Sequence, residues 1–274
     1  MPRQTGHHGS FMRTHQHDQI AVKPRRYVAA IATHQADIRA AQALRYRVFA
    51  LEMGARLHSK IDGLDYDEID DYCDHLLVRD LQTGAIVACT RLLTDSAAAR
   101  LGRFYSEGEF HLDGVLSLPG RFLEIGRTCV DPAQRGSVVL GTLWNGLADY
   151  AYRQRFDYLM GCASISPGPS GFAVEAVYRQ IRPEQFGPAE LAVRPRHPVP
   201  TAQRCVRDES GIPPLLQAYL RLGCWVLGEP CWDEDFNVMD VFILLELSRM
   251  QARYEKRFIA KRLEITHDVM PAYL

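Results

Sequence analysis

A carboxylate and a guanidinium stand three residues apart in RFLEIGRTCVDPAQRG, residues 121–136, inside a run that otherwise reads as a buried strand. Phe122, Leu123, Ile125 and Val130 suit a sheet interior. Glu124 does not, because desolvating an unpaired carboxylate costs roughly several kcal/mol. Two arrangements offset that cost. Glu124 and Arg127 form a structural ion pair, or both face a cavity, where the carboxylate accepts a proton and the guanidinium grips an anion through two parallel bonds. Arg91, inside ACTRLL, raises the same question and is read as a partner for nearby aspartates. Cys129 lies on the same strand, but no histidine stands beside it to lower its pKa, so packing is expected of this thiol.

A second concentration of chemistry is IDGLDYDEIDDYCD, residues 61–74, with seven acids and no base. Such a run is a solvated face, or a carboxylate cluster that attracts a cationic substrate. Asp74, at the edge of a strand, is expected to point inward.

The elements that must position these groups follow from periodicity. A short strand over 25–33 precedes a helix in which Ile38, Ala41, Leu44, Val48 and Leu51 recur at three- and four-residue steps. HLLVRD and AIVACTRLLT, separated by LQTG, read as a hairpin, and 96–120 reads as an irregular excursion. Asp131-Pro132 ends the Glu124 strand. Residues 137–154 form an amphipathic helix with Val138, Val139, Leu143, Trp144, Leu147 and Tyr150 on one face. FDYLMGCASI is a strand, GFAVEAVYRQI and IPPLLQAYLRLGCWVLG are helices, and FNVMDVFILLEL closes the sheet. The expected class is α+β, with a mixed central sheet flanked by helices. Residues 1–24 read as a tail and 25–274 as one domain ending in a basic helix.

The 274 residues carry 47% hydrophobic and 24% charged side chains and a net charge of −1, ordinary for a soluble globular protein and without a global pull toward nucleic acid. Seven cysteines without a CxxC pair read as reduced thiols, and the histidines of the tail as a polar segment; no metal site is expected. No stretch is apolar enough to span a bilayer, and the first residues lack the apolar run of a signal peptide, so a cytoplasmic location is expected. In SRMQARYEKRFIAKRLE the bases outnumber the acids, which suits contact with an anionic membrane surface at about 1 kcal/mol per base.

The order of these elements, with RYRVF, DEIDDYCDHLLV, ACTRLL, EIGRTCVDPAQRG, LWNGLADY, PPLLQAYLRLG and DEDFNVMDVFILL, resembles the GNAT acyltransferases. The resemblance is to the branch holding acyl-homoserine-lactone synthases and N-acyl amino acid synthases, and within it to the L-ornithine N-alpha-acyltransferases of ornithine-lipid synthesis. It implies a GNAT-like fold and transfer of a 3-hydroxyacyl chain from acyl carrier protein to the α-amine of L-ornithine. No cofactor is implied beyond the acyl-phosphopantetheine thioester of the donor.

Carried over by position, Arg45, Phe49, Asp74, Arg91, Glu124 and Arg127 match the branch's shared polar and aromatic set, while Asp70 and Asp71 compete for one further acidic position. Glu124 is then the candidate base and Arg127 its partner. Arg45, Phe49, Asp70, Asp71, Asp74 and Arg91 would bind the acceptor, and Cys129, Val130, Arg135 and Gly136 would border the donor. The tryptophan that lactone synthases carry after the phenylalanine is absent. QRGSVVLG is an imperfect pyrophosphate cradle, since Val138 stands where a second small residue belongs, which favours a carrier protein over coenzyme A. The rivals are another amine acceptor on the same fold, or a non-catalytic acyl-binding or membrane-associated module.

Overall fold

The computed structural model describes residues 25–205 and 211–250; the expected N-terminal tail and all of the expected basic C-terminal helix after Met250 lie outside them. In chain order the elements are β1 (Tyr27–Ile31), α1 (Gln35–Tyr46), β2 (Asp74–Asp80), β3 (Ile86–Thr94), α2 (Asp95–Leu101), β4 (Phe110–His111), α3 (Asp113–Leu116) and β5 (Phe122–Val130). There follow α4 (Ser137–Arg153), β6 (Tyr158–Ile165), α5 (Val174–Gln180), β7 (Arg194–Pro195), α6 (Pro214–Leu222), β8 (Trp225–Val226), β9 (Cys231–Asp233) and β10 (Val238–Glu246). The main sheet runs β1-β2-β3-β5-β6-β10-β8, with β9 also on β10. Its pairs are antiparallel except β5 with β6. The class is α+β with a mixed sheet.

Helix α4 forms because Val139, Leu143, Leu147 and Ala151 recur every fourth residue and bury one stripe. Val138, expected on that stripe, is 65% exposed. Helix α2 occupies the start of the segment read as irregular: the Thr94 hydroxyl caps the Ala97 N–H at 3.1 Å, and Gly102, at φ 94°, ends the turn. The helix expected over 212–228 ends at Leu222, where Gly223 at φ 105° stops it, and Trp225–Val226 is strand β8.

Two irregularities shape the middle of the sheet. Cys89 faces Cys129 and Arg91 faces Gly126, so β5 carries one residue more than β3 between the two pairs. This bulge sits at Arg127, whose φ is 49°, a region a non-glycine residue enters only under constraint. It shifts the alternation, bringing Cys129 to the α1 side of the sheet, against Cys89. The parallel pairing of β5 with β6 runs only through Phe122–Tyr158, Leu123–Leu159 and Glu124–Met160. Beyond Glu124 the pairing stops while β6 stays paired with β10 as far as Ile165. Gly161 lies at that parting, and any side chain there would run into the Ile125 carbonyl.

Candidate active site

Three arginines and three aspartates meet on one face of the sheet. Arg45, 1% exposed, donates to Asp65 Oδ2 at 2.8 Å, to both Asp70 oxygens at 2.7 and 2.8 Å, and to the Asp65 carbonyl. Arg91 donates to Asp67 Oδ1 at 2.6 Å and lies 3.7 Å from Asp70. Burial pushes the Asp70 carboxyl up, but the Arg45 hydrogen bonds and charge outweigh it and hold the pKa at about 2. The acidic segment divides: Asp65 and Asp70 are buried and the Asp67 side chain caps the turn Glu68–Tyr72, while Asp62, Glu68, Asp71 and Asp74 stay exposed as a solvated face.

Arg127 is held more loosely. Its Nη1 reaches the Tyr105 hydroxyl at 3.4 Å, its Nη2 lies 3.7 Å from Asp67, and its Nε, 3.4 Å from Asp65, makes no hydrogen bond. The guanidinium sits over the rings of Phe236 and Tyr105, at 4.5 and 5.2 Å. Phe49 packs edge-on against Phe236 at 5.5 Å, supporting that platform from behind. Arg127, Tyr105, Phe236, Asp65, Asp67 and Asp233 are among the residues lining a pocket of about 190 Å³. A buried guanidinium with an unused donor at a pocket wall can take up a carboxylate.

Glu124 does not pair with Arg127. Its Oε1 accepts the Ser106 N–H and hydroxyl, and its Oε2 accepts the Tyr105 N–H at 2.6 Å. Burial raises its pKa, against the pull of those hydrogen bonds and Arg91. It lines neither this pocket nor the larger cavity described next. The carboxylate cost posed by the sequence is met by a backbone turn.

On the opposite side of the sheet a cavity of about 1340 Å³ runs along α4. Ala29, Ile125, Trp144, Ala148, Tyr219 and Ile243 are among its mostly apolar walls, and it reaches Gly161 and Cys162 where β5 and β6 part. Exposed Arg25, Arg26, Arg153 and Arg155 border it.

Residues 44–145 match the model of the acetyltransferase (GNAT) domain. The L-ornithine N(alpha)-acyltransferase of Rhodobacter capsulatus is 34% identical over 261 residues, 89% of this chain and 99% of the relative. The L-ornithine N(alpha)-acyltransferase of Agrobacterium fabrum is 36% identical over 241 residues, 82% of each chain. The chain belongs to the L-ornithine N(alpha)-acyltransferase family. It is a GNAT-fold acyltransferase. Among solved structures it is similar to the CoA-dependent acyl-homoserine lactone synthase BjaI with SAM and isopentyl-CoA, at TM-score 0.50 and 15% identity, over 81% of this chain and 83% of that one. It is also similar to FeeM, an N-acyl amino acid synthase from uncultured soil microbes, at TM-score 0.46 and 13% identity, over 82% and 92%.

In this acyltransferase the remaining sequence candidates scatter. Asp71 is exposed and accepts the Tyr66 hydroxyl at 2.8 Å. Asp74 does not point inward: it is exposed and takes the Tyr150 hydroxyl of α4 at 2.5 Å. The Cys129 thiol is buried 3.6 Å from that of Cys89, which, with burial, pushes its pKa well up; it faces no cavity. Val130 packs at the edge of the core beneath α4. Arg135 forms a two-pronged pair with Glu52 at 2.6 Å. Gly136, just before α4, has open space where a side chain would stand, so the helix N-terminus is approachable although Val138 is present.

Sequence reasoning missed Tyr105, Glu109, Cys162, Ser164, Asp233 and Asp240, which line the ground between Arg127 and the parting of β5 from β6. Asp240, a lone acid in VMDVFILL, carried the same signal as Glu124. The Ser164 hydroxyl donates to it at 2.6 Å, and the Cys162 thiol donates to Glu109 at 3.2 Å.

Proposed function

We propose that this protein transfers a 3-hydroxyacyl chain from acyl carrier protein to the α-amine of L-ornithine, giving lyso-ornithine lipid. The observation that carries the reading is a polar pocket around Arg127 on one side of the sheet and, on the other, a long apolar cavity that reaches the parting of β5 from β6. The relatives' shared name supports ornithine as acceptor.

The donor's phosphopantetheine arm would pass the open start of α4, where unpaired helix N–H groups suit a single phosphodiester. Its thioester would rest between β5 and β6, with backbone N–H groups after Gly126 meeting the developing oxyanion. At about 1340 Å³ the cavity exceeds the 300–1,000 Å³ typical of drug-sized ligands, leaving room for a long chain. Arg127 would bind the acceptor's carboxylate, and Glu124 would act by holding Tyr105 in place rather than by taking the amine's proton. The exposed arginines along the cavity suit an acidic carrier protein, since complementary charge raises the encounter rate.

Donor identity is tested by comparing kcat/KM for one acyl chain on carrier protein and on coenzyme A. The carrier protein is preferred at low salt, and the preference shrinks as salt rises, because exposed charges are screened over about 10 Å at 0.1 M. Equal values at low salt contradict the carrier-protein donor.

A further inference from the structure

One carboxylate oxygen from each of Glu109, Asp233 and Asp240 lies within 4.8 Å of the other two. Among the described residues none of the three forms an ion pair with a lysine or arginine, in contrast to Asp65, Asp67 and Asp70, which share Arg45, Arg91 and Arg127. Asp240 is 3% exposed. Glu109 Oε1 is sealed from solvent and meets no hydrogen-bond donor, so the cluster holds a buried acceptor with nothing to accept. Asp233 also lines the Arg127 pocket, which gives the cluster a mouth.

A primary ammonium has three donors in tetrahedral array. With N–H···O⁻ distances near 2.8 Å, three acceptors around such a nitrogen lie about 4.6 Å apart. The 4.8 Å ceiling on the separations of the three carboxylates admits that figure. We infer that Glu109, Asp233 and Asp240 form a cage for the side-chain ammonium of the acceptor amino acid. The inference rests on the ornithine reading above and says which residues select ornithine from other amino acids.

The cage suits that amine and not the α-amine. Three anions hold an amine protonated, which disables a nucleophile but is what an amine that stays charged through the reaction requires. The groups facing Asp240 are Ser164 on β6, Glu109 after the turn Tyr105–Gly108, Asp233 on β9 and Arg127 on β5; the last is the cation whose charge reaches it. Burial and mutual repulsion raise the carboxyl pKa values of Glu109 and Asp240, and a bound ammonium relieves that repulsion.

The test compares ornithine with norvaline, the same skeleton without the side-chain amine, as acceptors for the intact enzyme and for Asp240→Asn and Glu109→Gln. The unaltered enzyme prefers ornithine by about 100-fold or more, the scale on which a site with buried polar groups rejects an analogue that leaves them unpaired. Each variant loses most of that preference through a higher KM for ornithine, while norvaline turnover stays within a few-fold. Asp233→Asn, less buried, serves as the third variant should the first two fail to fold. A folded variant that keeps the preference overturns the cage. So does a divalent-ion requirement that disappears with these carboxylates, since the cluster is then a metal site. If the unaltered enzyme acylates no ornithine, the functional reading itself fails; if it acylates ornithine and norvaline equally, only the cage does.

Discussion

The Glu124 carboxylate accepts both the backbone N–H of Ser106, at 2.7 Å, and its hydroxyl, at 2.5 Å. With the Tyr105 N–H at 2.6 Å, three donors of that turn close on one side chain from another element. Tyr105 in turn meets Arg127. Glu124 is thus tied to the Arg127 pocket through the turn.

Glu124→Gln turns one acceptor oxygen into an NH₂ that must face a donor. Leaving a buried group unsatisfied costs about 1–3 kcal/mol. The variant is expected to unfold at lower denaturant and to show a raised KM for ornithine, with kcat reduced less. A proton-accepting role gives the opposite pattern: kcat down ~100-fold, KM unchanged and the rising limb of the pH–rate profile lost.

Arg127→Lys keeps the charge but removes the planar fork and its free Nε donor. KM for ornithine should rise about tenfold, the value of one good charge-assisted hydrogen bond. Ornithinamide, which has no carboxylate, should be a poor acceptor for both proteins. A variant that still separates ornithine from ornithinamide as the unaltered enzyme does removes Arg127 from carboxylate binding.

Arg45→Met strands Asp65 and Asp70, two buried carboxylates. Removing one partner of a buried pair costs about 3–5 kcal/mol. Urea unfolding should show a loss of that order; a change below about 1 kcal/mol means the segment 61–74 relaxes into water without penalty.

Burial, opposed by the Ser164 hydrogen bond and reinforced by Asp233, pushes the Asp240 carboxyl up to about 6. An unfolded aspartate titrates near 3.9. Between those values the native state binds more protons than the unfolded one, so this group's contribution to stability falls as pH rises from about 4 to 6. Asp240→Asn should remove that contribution, so the variant loses less stability than the unaltered protein as pH rises from about 4 to 6. Parallel pH profiles for the two proteins from pH 4 to 7 contradict the raised pKa.

Much of this was legible in the residues. The α4 stripe, the β2–β3 hairpin and the ending of β5 at Asp131-Pro132 follow from periodicity and proline chemistry. Glu124 announced itself as a carboxylate in an apolar strand. Its partner did not, because the Tyr105–Ser106 turn that satisfies it lies in a segment without periodicity. The bulge at Arg127 was equally silent: one residue shifts the alternation, and nothing in EIGRTCV marks where. Asp74 was misplaced because its strand edge faces α4 and Tyr150. Asp240 displayed the Glu124 signal in VMDVFILL, yet its meaning depends on Glu109, over a hundred residues away, which only the fold brings near.

The central claim is acylation of ornithine at its α-amine. Purified protein is incubated with 3-hydroxyacyl carrier protein and ornithine labelled with ¹⁵N at the α-position, beside a panel of other amino acids, and the products are fragmented by mass spectrometry. The expected product is one acylated ornithine whose acyl-bearing fragment retains the heavy nitrogen. Acylation at the unlabelled side-chain nitrogen, or preferential acylation of another amino acid, contradicts the account.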